Sequence, residues 1–282
     1  GTMVQVAVTD LAAYFDDEIT AMPNLVTVGA GGTASTVAGI PFFAADNSIY
    51  THDVSGTDST AEQNAAYGIG AMDAITTGDN NTAMGFGALG ANTTGGSNTA
   101  IGQNALSGNT TASGNTALGQ NTMTANTTGT RNIAIGFAAY NSSDTENDNI
   151  AIGYDAMTTN TAGGTGNVAV GNYALDALTS GDYNIAIGLN AAGVNTTGSN
   201  NTAIGFETLD ANTTGDNNIA IGRNCLGSNT TGATNTAIGS NALAANTTAD
   251  ANTAVGRSSM LSNSTGTSNV AVGFESLKTN TT

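Results

Sequence analysis

A five-residue motif, Asn-[Thr/Ile/Val]-Ala-[Ile/Leu/Val/Met]-Gly, recurs along most of the chain at a nearly constant spacing. Successive copies lie 17 residues apart, except for one step of 18 between Asn149 and Asn167. Weaker copies precede them, in phase, at Asn47 and Asn64. A fixed period of this length indicates a repeat architecture in which each unit stacks on its neighbours. The twelve clear copies begin at Asn81, Asn98, Asn115, Asn132, Asn149, Asn167, Asn184, Asn201, Asn218, Asn235, Asn252 and Asn269.

The full repeat reads N-T-A-I-G-x-x-A-L-x-x-N-T-T-G-x-x, and we number its slots from 1, at the motif Asn, to 17. Slots 2 to 4 alternate around an Ala, as in Ile133-Ala134-Ile135, which is typical of a strand. We expect slots 2 and 4 to face the interior together with the apolar slot 9, and the Ala of slot 3 to face a second surface. The invariant Gly of slot 5 predicts a strand end that needs a positive φ or a close backbone approach.

Slots 12 to 15, usually Asn-Thr-Thr-Gly, predict a return strand and a turn. The extra residue of the long coil falls between Asn160 and Gly166, as expected for a turn that tolerates insertions. Stacked coils should place Asn over Asn and so form ladders of side-chain amides. The residues that we take as structural determinants of the repeat are Asn81, Ala83, Gly85, Leu89, Asn184, Ala186 and Gly188.

These patterns predict an all-β fold, a parallel β-solenoid (β-roll) of 17-residue coils. A helix is disfavoured because every repeat carries a Gly and an Asn-Thr-Thr-Gly segment, which are poor helix formers. One coil offers about three apolar side chains, whose burial contributes about 5–9 kcal/mol. Ordering the backbone of its residues costs roughly 1–2 kcal/mol each. Association of the Ala faces in a closed cyclic assembly would bury further surface without leaving a polymerising edge.

Two segments, Asn167-Val168-Ala169-Val170-Gly171 and Asn184-Ile185-Ala186-Ile187-Gly188, resemble the head repeat of YadA-type trimeric autotransporter adhesins. The longer form NTAIGxxALxxNTTG is also similar to repeats in tail-fibre and other structural proteins of marine and cyanobacterial phages. The resemblance covers about residues 64–282, although YadA-type coils are shorter. It implies a left-handed β-roll that assembles as a homotrimer.

Charge and composition exclude several classes of function. Four Lys and Arg against 21 Asp and Glu give a net charge of −17, which disfavours nucleic acids and anionic membranes. No apolar run is long enough for a spanning helix, so we expect no membrane insertion of this segment. His52 and Cys225 are each the sole residue of their type, and the acidic turn of Asp144, Glu146 and Asp148 lacks EF-hand spacing. We therefore expect no catalytic residue, no metal and no cofactor, and a chain that is not an enzyme.

Residues 1–46 carry no repeat and are interpreted as a small N-terminal capping or connector module, with residues 47–282 forming the solenoid. A helix is predicted after Thr9-Asp10, with Leu11 and Ile19 on one face, ending before Pro23. Asn24 to Gly29 is expected to form a strand. A receptor-binding tip is the alternative interpretation of this module.

Slot 6 mixes large aromatic and polar residues, which is unlike the buried slots of the repeat. We expect its aromatics either to line an interface between chains or to form apolar patches for a ligand. These aromatics are Phe86, Phe137, Tyr154, Phe206 and Phe274.

The expected function is that of an extracellular structural fibre or adhesin segment, such as a phage tail fibre or spike, which spaces or presents a receptor-binding surface. The alternatives are the head of a bacterial trimeric autotransporter adhesin, on the cell surface, and an ice-binding solenoid. The expected partners are further copies of the chain and a host-cell receptor, glycan or matrix protein.

Overall fold

A computed structural model describes residues 60–160 and 163–280, together with the backbone of three strands that precede them. The predicted N-terminal helix, the predicted strand from Asn24 to Gly29 and His52 lie outside these residues. The three leading strands are β1 (Ser35–Val37), β2 (Ile40–Ala45) and β3 (Ser48–Tyr50). They pair antiparallel in sequence order, and β3 then pairs parallel with β4 (Ala65–Tyr67).

One sheet holds all sixteen strands in sequence order, and from β3 onward every pairing is parallel. Each strand of the repeat is three residues long and occupies slots 2 to 4. The remaining strands are β5 (Thr82–Met84), β6 (Thr99–Ile101), β7 (Thr116–Leu118), β8 (Ile133–Ile135), β9 (Ile150–Ile152), β10 (Val168–Val170), β11 (Ile185–Ile187), β12 (Thr202–Ile204), β13 (Ile219–Ile221), β14 (Thr236–Ile238), β15 (Thr253–Val255) and β16 (Val270–Val272).

The strands stack in strict register, so that equal slots of successive coils lie opposite one another. Ala186 lies opposite Ala169 on one side and Ala203 on the other. The 18-residue coil keeps this register, because Ala151 still lies opposite Ala169. The chain is therefore an all-β parallel β-solenoid, as predicted, and its described residues contain no helix. The thirteen strands from β4 to β16 span about 58 Å at the usual strand spacing of about 4.8 Å.

Hydrogen bonds between coils continue around the whole repeat, although only slots 2 to 4 are strand. The Thr202 N–H donates to Asn218 O of the next coil (2.8 Å), and the Gly205 N–H donates to Ile187 O of the preceding coil (2.8 Å). Beyond the strand, the Leu209 N–H donates to Cys225 O (3.0 Å). The predicted return strand at slots 12 to 15 was wrong: these residues form a bend, although backbone N–H groups there still bond to the next coil, as the Thr196 N–H does to Thr213 O (2.9 Å).

The coil bends at backbone positions that L-residues rarely adopt. Slots 7, 9 and 17 have left-handed φ angles, for example 50° at Glu207, 55° at Leu209 and 58° at Asn217. The slot-5 Gly has φ near 135°, and a Cβ on Gly188 would lie 2.3 Å from Gly205 O of the next coil. Slot 5 therefore requires Gly for both its conformation and its space, as the invariant residue predicted.

The two faces of each strand are reversed relative to the sequence-based prediction. The slot-3 Ala lies inside the roll, and Ala83 and Ala186 are buried, whereas slots 2 and 4 point outward. The interior is built from slots 3, 8 and 9, including Leu89. Seventeen residues enclose a thin roll in which slot 9 supplies the large side chain, so only a methyl group fits opposite it. The interpretation of Ala as a surface for a second chain was therefore wrong.

Candidate functional site

Two ladders of buried Asn side chains run along the interior, as predicted from their spacing. In slot 1, the Asn184 backbone N–H donates to Asn167 Oδ1 (2.8 Å), and Asn184 Nδ2 donates to Gly198 O across the roll (2.8 Å). In slot 12, Asn212 Nδ2 donates to Asn195 Oδ1 (2.9 Å). Asn81 makes the same slot-1 bonds and is also buried. These amides hold the coils together and are closed to ligands in the folded rod.

Between Asn92 and Asn263 the slot-12 ladder is interrupted twice, by the buried Leu178 in the coil from 167 to 183 and by a polar residue in the coil from 132 to 148. Ser143 replaces Asn there, and Asn126 Oδ1 in the preceding coil is left buried with no hydrogen-bond partner. Tyr140, the largest fully buried side chain, fills slot 9 of the same coil. Its hydroxyl accepts from Asn149 Nδ2 (2.5 Å) and Asn160 Nδ2 (3.1 Å). Tyr140 thus replaces the acceptor that an Asn at slot 12 would have offered to the next coil.

The acidic turn that follows Ser143 is a structural motif. Glu146 is buried, and its carboxylate accepts from the backbone N–H groups of Asp144 (2.9 Å), Thr145 (3.0 Å) and Gly163 (3.1 Å). The Arg131 guanidinium beside Asp148 lowers the pKa of that carboxyl through a bidentate ion pair. Among residues 60–160 and 163–280, no group of three or more His, Cys, Asp or Glu could hold a metal ion.

Cys225 occupies slot 8, inside the roll, and is fully buried. Its thiol donates to Ala237 O at 3.1 Å. Burial raises the pKa of the thiol to about 12, so it stays protonated and unreactive at neutral pH. The cysteine therefore contributes to packing and offers no nucleophile in the folded chain.

The outer face of the sheet is a long exposed surface. We define this sheet face as the side chains of slots 2 and 4 in β4 to β16, none of which is charged. Slot 4 holds an apolar or aromatic side chain in every strand, and slot 2 holds Ala, Thr, Ile or Val. The face is roughly 58 Å long and roughly 10 Å wide, from strand spacing and rise. Its large exposed members are Tyr67, Met84, Leu118, Ile133, Ile185, Ile187, Ile219, Ile221, Ile238, Val270 and Val272.

The predicted slot-6 aromatics all lie on the surface, beyond the Gly corner that ends each strand. Phe137 stacks on Tyr154 with ring centroids 5.3 Å apart, and Arg257 lies over Phe274 at 5.7 Å. Tyr173, in slot 7, extends the first pair through an edge contact with Tyr154 (5.5 Å). Sequence analysis missed Tyr173 because slot 7 is usually small or polar. The exposed fractions of the five predicted residues are 58% for Phe86, 42% for Phe137, 43% for Tyr154, 39% for Phe206 and 65% for Phe274.

The Thr side chains of slots 13 and 14 differ in exposure. The slot-13 hydroxyl is engaged within the stack, as when Thr196 Oγ1 donates to Thr213 O (2.9 Å), whereas the slot-14 side chain, such as Thr197, is exposed. The two hydroxyls therefore have different environments in each coil.

Among the residues that the structure describes, no helix could span a bilayer. Comparisons with protein-family models, curated proteins and solved structures gave no match.

Proposed function

We propose that this chain is a segment of an extracellular homotrimeric fibre, in which the sheet faces of three copies pack against one another. The observation that carries the proposal is the uncharged, largely apolar sheet face, which continues through thirteen strands without a single charged side chain. Its projected area is on the order of 600 Å², at the upper end of apolar patches on monomeric proteins.

The charge distribution supports the same proposal. Copies that each carry a net charge of −17 repel one another, so a stable assembly needs a contact surface from which charge is absent. In the described coils, the carboxylates lie at slots other than 2 and 4, as with Asp176 and Asp210 in slot 10 and Glu207 in slot 7. Burial of Ile187 and Ile221 against another copy would contribute about 25 cal/mol per Å² of apolar surface removed from water.

A closed ring of copies is favoured because it buries every sheet face and leaves none exposed for further polymerisation. The number three and the left-handed coil rest on the resemblance of the repeat to YadA-type heads. In such a trimer the rod serves as a spacer that presents a receptor-binding surface. We place it on a virion, as a tail-fibre or spike segment, because the NTAIGxxALxxNTTG form resembles phage structural proteins.

Light scattering after size-exclusion chromatography tests the assembly. The wild-type chain is expected at three times 27.7 kDa, and electron microscopy should show a rod. Ile187→Glu should weaken association at least about tenfold, because each copy would bring a charge into the shared interface. The side chain points outward, so the coil itself should still fold.

Thr197→Glu is the matched control, since it places the same charge on the exposed slot 14 of the same coil. It should leave the trimeric mass unchanged. A wild-type chain that remains monomeric at micromolar concentration contradicts the proposal. So does a trimer whose association is not weakened by Ile187→Glu.

A further inference from the structure

A notch of about 260 Å³ opens on the side of the rod, outside the sheet face. It spans three successive coils and is built from slots 7, 10 and 11. Small-ligand sites in proteins are concave and combine apolar walls with a few polar groups, and this notch has that composition at a small scale. It is lined by Tyr173, Asp176, Asn190, Gly193, Val194 and Asp210.

The notch exists because Gly193 occupies slot 10 between Asp176 and Asp210. The backbone at Gly193 does not have the positive φ that would require Gly. A Cβ there would lie 3.2 Å from Asp210 Oδ1, the end of a side chain that can shift, and 3.5 Å from Tyr173 O. Other coils hold Thr124 or Asn141 in this slot. The fold therefore tolerates a side chain at residue 193, and its absence opens a gap between two carboxylates.

The polar groups of the notch are acceptors and one amide with spare bonding capacity. In other coils, slot-7 amides bond to each other, as Asn224 Nδ2 does to Asn241 Oδ1 (3.1 Å). Asn190 lies between Tyr173 and Glu207 in the same slot, and its side chain makes no hydrogen bond within the described residues. Its amide can therefore both donate to a ligand and accept from it.

The electrostatics of the notch exclude anionic ligands, since two carboxylates line it and no cation does. Burial, and then the charge of Glu207, raise the pKa of the Asp210 carboxyl. A ligand hydroxyl that donates to such a carboxylate would replace part of its lost hydration with a short, charge-assisted hydrogen bond.

The apolar side of the notch continues along the rod. The ring of Tyr173, 40% exposed, contacts Tyr154, which in turn stacks on Phe137, so three rings cover three successive coils. Val194, 44% exposed, supplies a further apolar wall within the notch. An extended row of exposed rings suits a chain of flat, C–H-bearing units, whereas a single small cation would use only one ring.

We propose that the notch around Gly193, with the aromatic row of Phe137, Tyr154 and Tyr173, binds a neutral oligosaccharide. One pyranose ring would occupy the notch, donating hydroxyls to Asp176 and Asp210 and bonding to the Asn190 amide. Neighbouring sugar rings would stack along the aromatic row. This inference names the partner class for the attachment role proposed above and rests on that role, but the notch lies outside the sheet face and does not need the trimer.

Isothermal titration calorimetry on the full chain tests the site with four neutral probes: cellotetraose, maltotetraose, mannotetraose and tetra-N-acetylchitotetraose. At least one should bind saturably, with a Kd in about the millimolar range or tighter. Gly193→Thr, which places a side chain common in slot 10 into the gap, should reduce affinity at least about tenfold. Tyr173→Ala should do the same by removing the ring.

Gly90→Thr is the matched control, because Gly90 occupies the same slot six coils away. It should leave affinity unchanged. The inference is overturned if none of the four probes binds, if Gly193→Thr binds as wild type does, or if tetralysine binds in their place. Light scattering on the same samples separates the two proposals. A chain that forms the trimer but binds none of the probes supports the fibre proposal and contradicts the sugar site.

Discussion

Two regions of the rod use different side chains to bond the polar groups of the turn. In the regular coils from 184 to 251, every slot-12 residue is Asn, and the ladder bonds are 2.8 to 3.0 Å long. In the irregular coils from 132 to 166, Ser143 interrupts the ladder, Glu146 replaces the slot-15 Gly and the second coil has an extra residue. Register is nevertheless identical in both regions.

The comparison shows that the coils keep their register without Asn at slot 12, as they also do at Leu178, when the polar groups of the turn find other partners. The Tyr140 hydroxyl and the Glu146 carboxylate take over bonds that Asn and backbone make elsewhere. The replacement is incomplete, because Asn126 Oδ1 stays buried without a partner, which costs roughly 1–3 kcal/mol. The strand and the Gly corner are unchanged, so the difference is confined to slots 9 to 15.

The largest loss of stability should come from substitutions at the slot-5 Gly. It should be the same in both regions if the difference between them is confined to slots 9 to 15. A Cβ on Gly188 or on Gly136 would lie 2.3 Å from the carbonyl oxygen of the next coil, and both residues have positive φ. Gly188→Ala and Gly136→Ala should each lower the free energy of unfolding by about 3 kcal/mol or more in denaturant titrations. Gly193→Ala, with no positive φ, is the control. A clear difference between the two variants would mean that the irregularity reaches the corner.

The loss of stability on substitution of slot 12 should be the second largest, and it should differ between the regions. Asn212→Ala removes two donated hydrogen bonds and leaves Asn229 Nδ2 without its ladder acceptor, which should cost about 2 kcal/mol. Ser143→Ala removes the 3.2 Å bond to Tyr140 O and no ladder bond, so it should cost less than about 1 kcal/mol. Urea unfolding measures both. Equal losses would show that the interrupted coil is not compensated as we describe.

Tyr140→Phe tests whether the Tyr140 hydroxyl replaces the acceptor that Asn supplies at slot 12 in other coils. The loss of its hydroxyl should lower the free energy of unfolding by about 1 kcal/mol at neutral pH, because two buried amides lose an acceptor. Burial, and then the Glu146 charge, raise the pKa of Tyr140. The unfolded chain therefore ionises first, and wild-type stability should fall relative to the variant above about pH 10.

Tyr183→Phe, on an exposed ring, is the control and should not show the loss at neutral pH. Unfolding curves at neutral and alkaline pH provide the measurement. A Tyr140→Phe chain that is as stable as wild type at neutral pH would contradict the role assigned to the hydroxyl.

The smallest effect concerns Asp210, in the regular region but outside the ladders. Its pKa is raised, so the folded chain binds a proton more readily than the unfolded chain, and ionisation lowers folding stability. Asp210→Asn should therefore raise the thermal midpoint slightly at about pH 7. The gain should vanish at about pH 3, where the carboxyl is protonated in both states. A lower midpoint for the variant at neutral pH would contradict this assignment.

Sequence patterns predicted the repeat, the strand in slots 2 to 4, the Gly corner and the Asn ladders. Each of these follows from a residue type with few alternatives, such as Gly85 at a φ of 137°. The register also followed, because the spacing of 17 residues leaves one way to stack equal slots. The extra residue was assigned to the correct turn: Asn160 Nδ2 donates to Gly164 O four residues on, instead of three as in regular coils.

The orientation of the strand could not be obtained from alternation, since a period of two does not say which face is inside. Hydrophobicity favoured Ile185 and Ile187 for the interior, yet the thin roll has room only for Ala186. Size would have been the better guide, because a slot that never exceeds Ala indicates confinement. The notch at Gly193 was missed for another reason: it combines side chains from three coils, which no single repeat displays.

The buried slot-12 ladder has a consequence for how the protein can be produced. Asn195-Thr196-Thr197 and its slot-12 equivalents from Asn92 to Asn263, except that at Asn160, match the acceptor sequence for N-linked glycosylation, yet the acceptor amides are fully buried. In a eukaryotic secretory pathway the oligosaccharide is attached before the coil closes, and it would occupy the space of the next Asn. Secreted expression in yeast or mammalian cells should therefore yield misfolded chains, and synthesis in a bacterial cytoplasm should avoid the modification.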